Sequence, residues 1–156
     1  GGPPPDGTTW KQRFIDEVRA DISDTDWQRV HFTDPISYDK FISLLQVSRA
    51  HIYLTYPFVL SWSLLETMSA GGAILASDTA PVREVIFDDE TGLLTDFFDT
   101  DALADNLNWL LDDAGLRSRL GAAARQLVLD RFDLEKTCLP QQLQWVDALA
   151  QTPAHP

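Results

Sequence analysis

Short apolar segments alternate with longer amphipathic segments along most of this chain. We predict strands at 28–33, 50–55, 73–77 and 93–95, because each segment is short, apolar and bounded by turn residues. Strands that alternate with helices favour a parallel sheet with right-handed crossovers. The chain is therefore predicted to be an α/β protein, with a Rossmann-like parallel sheet flanked by helices and a helical C-terminal segment.

The amphipathic segments predict where the helices lie. The first has apolar residues every four positions from Trp10 to Ile22, behind Thr8 and Thr9 as suitable N-cap residues. Other helices are predicted from Ser37, over 63–70 with a stop at Gly71-Gly72, from Pro81 to Ile86, and from Thr100 onward. We interpret 1–8 as a loop, 151–156 as a tail and 1–156 as a single domain, which has enough residues for a real core.

Charge and cysteine content exclude several classes of partner. The formal net charge is -12, which argues against nucleic acid or an anionic membrane surface as the main ligand. A phosphate ligand stays open, because backbone N–H groups bind phosphate locally. No apolar stretch approaches the roughly 20 residues of a membrane span, and Cys138 is the only cysteine, so no internal disulfide forms. We expect a reducing, cytoplasmic environment.

Residues 56–92 hold most of the groups suited to chemistry. They predict a strand exit, a loop and a helix that carries one carboxylate, Glu66. Two interpretations of Glu66 remain open from spacing alone. In the first, Ser63 and Glu66 form a capping box that closes the helix N-terminus. In the second, the carboxylate accepts two hydrogen bonds from a diol such as a ribose.

Other loops at the same predicted sheet edge are weaker candidates. The helix N-terminus after 60–62 offers unpaired N–H groups and partial positive charge to a diphosphate, unless its own serines cap it. The loop 32–36 follows the first predicted strand and offers backbone groups to a flat base, although a plain turn is also consistent with it. The candidate binding residues are Phe58, Leu60, Ser61, Trp62, Ser63, Glu66, Phe32, Thr33, Asp34 and Pro35.

Metal and nucleophile chemistry finds little support in the sequence. His31 and His51 have no partners at metal-ligand or catalytic-triad spacing. No glycine-rich phosphate loop of the Rossmann or P-loop type is present. We expect no metal and no cofactor.

The order of motifs after Pro57 resembles the donor-binding half of the retaining glycosyltransferases of family 4. That family has a Glu, seven residues and a second Glu in a helix that ends Ala-Met-Ala-x-Gly. In this chain Glu66 and the segment 68–71 occupy the second part of that pattern. The segments 73–78, 84–86 and 91–94 follow in register, and 30–36 resembles the family's base-side strand and loop.

The resemblance implies the C-terminal domain of a two-domain GT-B glycosyltransferase. It implies that Glu66 holds the donor ribose, that Leu60, Ser61 and Trp62 lie near the diphosphate and sugar, and that 32–36 flanks the base. An N-terminal acceptor domain of the same protein is the expected partner. That domain, the first strand of this one and the basic catalytic groups are expected upstream of Gly1, so that the chain alone transfers nothing.

One position departs from the family pattern. The first Glu of the motif falls at Phe58, where the family places a carboxylate on the transferred sugar. We expect Phe58 to line the cleft as an apolar surface. The departure also favours a second hypothesis, a nucleotide-binding or partner-binding α/β module that performs no transfer.

Overall fold

The computed structural model describes residues 4–56 and 59–151. The chain divides into two compact units, Gly1–Ile36 and Ser37–Pro156, and each is described by itself. The prediction of a single domain over 1–156 stays a prediction. Phe58 lies outside the described residues, as do 1–3 and 152–156.

Two short helices make up the N-terminal unit. Helix α1 spans Trp10–Val18 and continues as a 3₁₀ turn over Arg19–Asp21, which confirms the predicted stripe. Helix α2 spans Asp24–Trp27. Thr9 caps α1 by accepting a hydrogen bond from the backbone N–H of Gln12, as expected.

The predicted strand over 28–33 is wrong. Residues 30–36 have neither helical nor strand structure, and a turn precedes them, in which Val30 N–H donates to the Trp27 carbonyl. A strand requires a neighbouring strand for its backbone hydrogen bonds. All strands among the described residues lie in the C-terminal unit. Apolar character alone therefore did not make this segment a strand.

The C-terminal unit contains the sheet and most of the helices. Its described strands are β1 (His51–Tyr53), β2 (Ile74–Ser77) and β3 (Leu93–Thr95). Its helices are α3 (Tyr38–Val47), α4 (Trp62–Ser69), α5 (Thr100–Asp112), α6 (Ala114–Phe132) and α7 (Leu139–Gln151). A 3₁₀ turn over Val82–Glu84 follows Pro81, and a π-helical turn spans Leu134–Cys138. The predicted tail over 151–156 therefore starts one residue too early, since Gln151 still belongs to α7.

The three strands form a parallel sheet in the order β1-β2-β3. Ile52 pairs with Leu75, and Leu75 pairs in turn with Leu93. The strand β2 is buried along its whole length, as expected for the centre of a parallel sheet covered on both faces. The predicted parallel α/β architecture is confirmed, with three of the four predicted strands.

Side chains of β2 alternate between two hydrophobic cores. Ile74 and Ala76 belong to the first core, together with Leu64 and Met68 of α4. Ala73 and Leu75 belong to the second core, which α5 and the first half of α6 complete. This alternation follows from the two-residue period of a strand. It fixes α4 against one face of the sheet.

Helix α6 crosses the glycine corner at the end of α4. Its first half supplies Leu120 to the second core, and its second half supplies Ala124 to the first core. Gly71 adopts a left-handed φ of 76°, which glycine tolerates at a helix C-terminus. The predicted helix stop at Gly71-Gly72 is confirmed. Gly121 of α6 lies directly against this corner.

Candidate functional site

The carboxyl ends of the three strands define the edge at which α/β proteins bind ligands. Thr55 follows β1, Asp78 follows β2 and Asp96 follows β3. The buried Ser77 hydroxyl donates to the Thr55 carbonyl at 2.7 Å and accepts from the Thr55 N–H at 2.9 Å. This double hydrogen bond holds the start of the β1–α4 loop against β2.

The N-terminus of α4 is capped by Ser61, not by Ser63. The Ser61 hydroxyl accepts from the Ser63 N–H at 3.4 Å, and the Ser61 carbonyl accepts from the Leu64 N–H. The Ser61 N–H donates to the Tyr53 hydroxyl at 2.8 Å. The capping box of Ser63 and Glu66 does not form, because the cap is Ser61, two residues before Ser63, and Glu66 is then five residues after the cap instead of three.

Glu66 is half-buried on the side of α4 that meets α3. It lines a cavity of about 200 Å³ with residues of α3, α4 and α6: Tyr38, Ile42, Gln46, Ser69, Ala70 and Arg125. The Tyr38 hydroxyl donates a hydrogen bond to the Glu66 carboxylate. Desolvation, and then the charge of Glu66, raise the pKa of Tyr38. The carboxylate is therefore already used as an acceptor for a neutral hydroxyl.

The other predicted residues around α4 differ in exposure. Trp62 is 83% exposed at the first position of the helix. Leu60 is half-buried and packs against the first core. Thus the 60–63 segment combines a fixed backbone with one large exposed ring. The position of Phe58 falls outside the described part of the chain.

The predicted base-side loop lies in the N-terminal unit. Phe32, Thr33, Asp34 and Pro35 are all exposed. The Phe32 ring lies 6.1 Å from the Trp27 ring, between centroids, and the Lys11 ammonium lies 4.8 Å from the Phe32 centroid. Contact of this loop with a base stays a prediction.

An ion pair follows β2 at the same edge. Arg83 binds both carboxylate oxygens of Asp78, with one contact at 2.6 Å. The hydrogen bond from Arg83 lowers the pKa of Asp78, against the smaller effect of burial. The Asp78 N–H donates to the Thr95 carbonyl at 2.8 Å and so joins the ends of β2 and β3.

Three aromatic rings meet at this edge, and the sequence analysis missed them. Tyr56 follows β1, whereas Phe97 and Phe98 follow β3. The Tyr56 centroid lies 5.5 Å from Phe97 and 5.1 Å from Phe98. The signal was present as two adjacent phenylalanines just after a strand, but only the strand order brings them to Tyr56.

Neither a metal-ion cluster nor a membrane-spanning helix lies in the described part of the chain. Within residues 4–56 and 59–151, no group of three His, Cys, Asp or Glu side chains is arranged to hold a metal ion. Among those residues, no helix has both the length and the apolar character that a membrane crossing needs. Burial lowers the pKa of His51, the histidine of β1.

Comparison with known proteins identifies the family. A family model described as glycosyl transferases group 1 matches residues 24–127. The chain belongs to this family. Its matched region includes the sheet, α4 with Glu66, and most of α6. Assignment to family 4 within this group stays a prediction.

Relatives and solved structures agree with this assignment. The N-acetyl-alpha-D-glucosaminyl L-malate synthase of Bacillus anthracis is 28% identical over 126 residues, which cover 78% of this chain and 33% of that enzyme. The C-terminal domain of LpcC, a glycosyl transferase group 1 family protein from Francisella tularensis, matches with a TM-score of 0.71 and 21% identity. That match covers 85% of this chain and 67% of the LpcC domain.

A ligand-bound structure also has this fold. Alr3699/HepE from Anabaena, in complex with UDP and glucose, matches with a TM-score of 0.73 and 18% identity. The match covers 91% of this chain and 38% of that one. The fold is that of a GT-B glycosyltransferase C-terminal domain, as predicted. The chain spans a third or less of the length of the curated relatives that it matches.

Proposed function

We propose that this chain is the donor-binding domain of a retaining glycosyltransferase of family 4, which transfers a sugar from a nucleotide diphosphate sugar. The observation that carries the proposal is the environment of Glu66. Its carboxylate accepts from the Tyr38 hydroxyl in a groove beside α4 and takes no part in capping the helix. A ribose presents hydroxyl donors of the same kind.

The start of α4 is the proposed diphosphate contact. A helix N-terminus carries unpaired N–H groups and partial positive charge, which favour an anion. The Ser61 and Ser63 N–H groups already have partners in Tyr53 and Ser61. The segment at the start of α4 therefore contributes to binding mainly through Leu60 and Trp62 and through the helix dipole.

The donor base and sugar are suggested by a structural neighbour. Alr3699/HepE was crystallised with UDP-glucose, so UDP-glucose is the first donor to test. We expect a hexosyl transfer in which basic groups of the whole protein stabilise the departing diphosphate, without a metal or cofactor. A cytoplasmic location and a role in glycan synthesis belong to the same proposal.

An N-terminal acceptor domain is the proposed partner. Helix α7 has no buried residue, and it exposes several large apolar side chains: Leu139, Leu143, Trp145, Val146 and Leu149. Such a face is typical of a helix that packs against another part of a protein. The greater length of the relatives supports the same inference.

Glu66→Gln tests the proposal, with Glu90→Gln in the exposed turn as the control. Loss of the charged acceptor should weaken UDP-glucose binding by about 1–3 kcal/mol, or roughly 5–150-fold. Titration calorimetry measures the affinity, and thermal unfolding should stay near that of the control. Unchanged affinity together with a large loss of stability would show that Glu66 has only a structural role.

A second function, binding without transfer, is favoured by Phe58 in place of the acidic residue of the family motif. The two functions differ in the activity of the full-length protein. Incubation of that protein with radiolabelled UDP-glucose and a mixture of acceptors distinguishes them. Active relatives, assayed in parallel, are the positive controls. Nucleotide binding by this protein without any labelled product would favour the second function.

A further inference from the structure

The aromatic trio of Tyr56, Phe97 and Phe98 is an exposed cluster at the ligand-binding edge of the sheet. Tyr56 is 60% exposed and Phe98 is 70% exposed, whereas Phe97 is half-buried. The Phe97 and Phe98 rings lie 5.0 Å apart at an interplanar angle of 81°. Neither hydrophobic core includes any of the three rings. Burial in the protein interior therefore does not account for the cluster.

The trio spans the end of the central strand. Tyr56 comes from the loop after β1 and the two phenylalanines come from the loop after β3, while β2 lies between these strands. The Ser77 hydroxyl of β2 holds the loop after β1 through its hydrogen bonds with the Thr55 backbone. The Asp78 N–H holds the end of β3 through the Thr95 carbonyl. The rings thus project from a braced edge, and Tyr56 shares the β1–α4 loop with Ser61.

Carboxylates lie next to the rings. Asp96 uses one oxygen to accept from the Phe98 N–H at 2.8 Å, and Asp99 uses one oxygen to accept from the Ala102 N–H at 2.9 Å. Both residues are exposed. Their negative charge opposes a phosphate or another anion but suits a ligand rich in hydroxyl donors.

Aromatic rings beside carboxylates match the two surfaces of a sugar. A pyranose has an apolar face of C–H groups that packs on an aromatic ring, and hydroxyls at its rim that donate to carboxylates. We propose that Tyr56, Phe98 and the neighbouring Asp96 form a subsite for the neutral pyranose ring of the acceptor saccharide. This proposal rests on the proposed glycosyltransferase function, because an acceptor exists only if transfer occurs. It assigns to this chain one subsite of an acceptor site that the proposed N-terminal domain completes.

Saturation-transfer NMR on the full chain tests the subsite. The probes are the methyl glycosides of glucose, galactose, mannose and N-acetylglucosamine, each with and without UDP, and UDP-glucose is the fifth probe. Phe98→Ala and Phe98→Leu remove the aromatic face, and Trp109→Ala on α5 removes an exposed ring elsewhere. Circular dichroism checks that each variant is folded. Phe98→Trp should keep the signal.

At least one glycoside should receive saturation at its ring protons from the wild type and from Trp109→Ala. The signal should fall roughly fivefold or more in Phe98→Ala and in Phe98→Leu. UDP should not displace the glycoside. An equal signal in Phe98→Leu would overturn the proposal, as would the absence of a signal for all four glycosides. A signal seen only with UDP-glucose and removed by UDP would also overturn it, because the rings would then contact the donor.

Failure of this proposal is distinguishable from failure of the proposed function. Glu66→Gln should weaken UDP-glucose binding without changing the glycoside signal. Phe98→Leu should lower the glycoside signal without changing UDP-glucose binding. Absence of a glycoside signal in the wild type, with UDP-glucose binding intact, therefore refutes the subsite and leaves the donor site standing.

Discussion

The contact between Gly121 and the Gly71-Gly72 corner gives the sharpest prediction about stability. A Cβ atom added at Gly121 would lie 2.1 Å from the Gly71 carbonyl oxygen and 3.0 Å from its carbonyl carbon. Both obstructing atoms belong to the backbone, so no side-chain rotation relieves the clash. Gly121→Ala must therefore move α6 away from the end of α4.

Two effects of opposite sign set the magnitude. Alanine in place of glycine inside a helix stabilises it by about 1 kcal/mol. Overpacking a buried contact costs about 1–3 kcal/mol, and a clash with backbone belongs at the upper end of that range. We expect a net loss of about 2 kcal/mol. With a urea m-value of roughly 1–3 kcal/mol/M, the midpoint should fall by about 1 M.

Urea unfolding followed by circular dichroism is the assay. The control is Gly115→Ala, near the start of the same helix, where the added Cβ would meet only the Asp113 side chain at 3.2 Å. That variant should be unchanged or up to about 1 kcal/mol more stable. If Gly121→Ala were as stable as Gly115→Ala, the close approach of α6 to α4 would be refuted.

Two further predictions concern the sheet. Ser77→Ala removes both hydrogen bonds to Thr55 and should lower the free energy of unfolding by about 1–3 kcal/mol. The control Ser118→Ala, at an exposed position, should leave it unchanged, and equal urea midpoints for the two variants would contradict the role of Ser77. Burial lowers the pKa of His51 from 6.5, so the folded state favours the neutral ring. The resulting stabilisation of the folded state is complete above about pH 6.5 and is lost as the pH falls through the lower folded pKa. The free energy of unfolding should therefore change less between about pH 7.5 and 5.5 in His51→Gln than in the wild type. An equal change in both proteins would show that another group is responsible.

Local patterns predicted the elements that carry their own signals. The strand at 73–77 is a short apolar run, and the helix before it stops at Gly71, whose positive φ needs glycine. Both predictions are confirmed with small changes in their bounds. The run at 28–33 has similar local character but no neighbouring strand, which is a property of the tertiary structure and not of the segment.

The candidate site likewise combines features that the local sequence predicts with features that depend on tertiary packing. Sequence identified Glu66 but left its role open between a cap and a ligand contact. The cap is excluded by where α4 begins, behind Ser61, whose N–H donates to the Tyr53 hydroxyl eight residues earlier in the chain. The ligand contact stays a prediction. The Tyr38 contact and the aromatic trio depend on how α3 and the strand ends pack, so no local pattern predicts them.

Helix α4 is positioned at three places by the body of the fold. Tyr53 holds its first turn, Leu64 and Met68 bury its middle in the first core, and Gly121 packs against its end. Glu66 lies between these fixed points, on a rigid element and not on a loop. A carboxylate held in this way loses little conformational entropy when it binds a diol. Mutations at Gly121 or Tyr53, which touch no proposed ligand atom, should therefore weaken nucleotide binding through the position of Glu66.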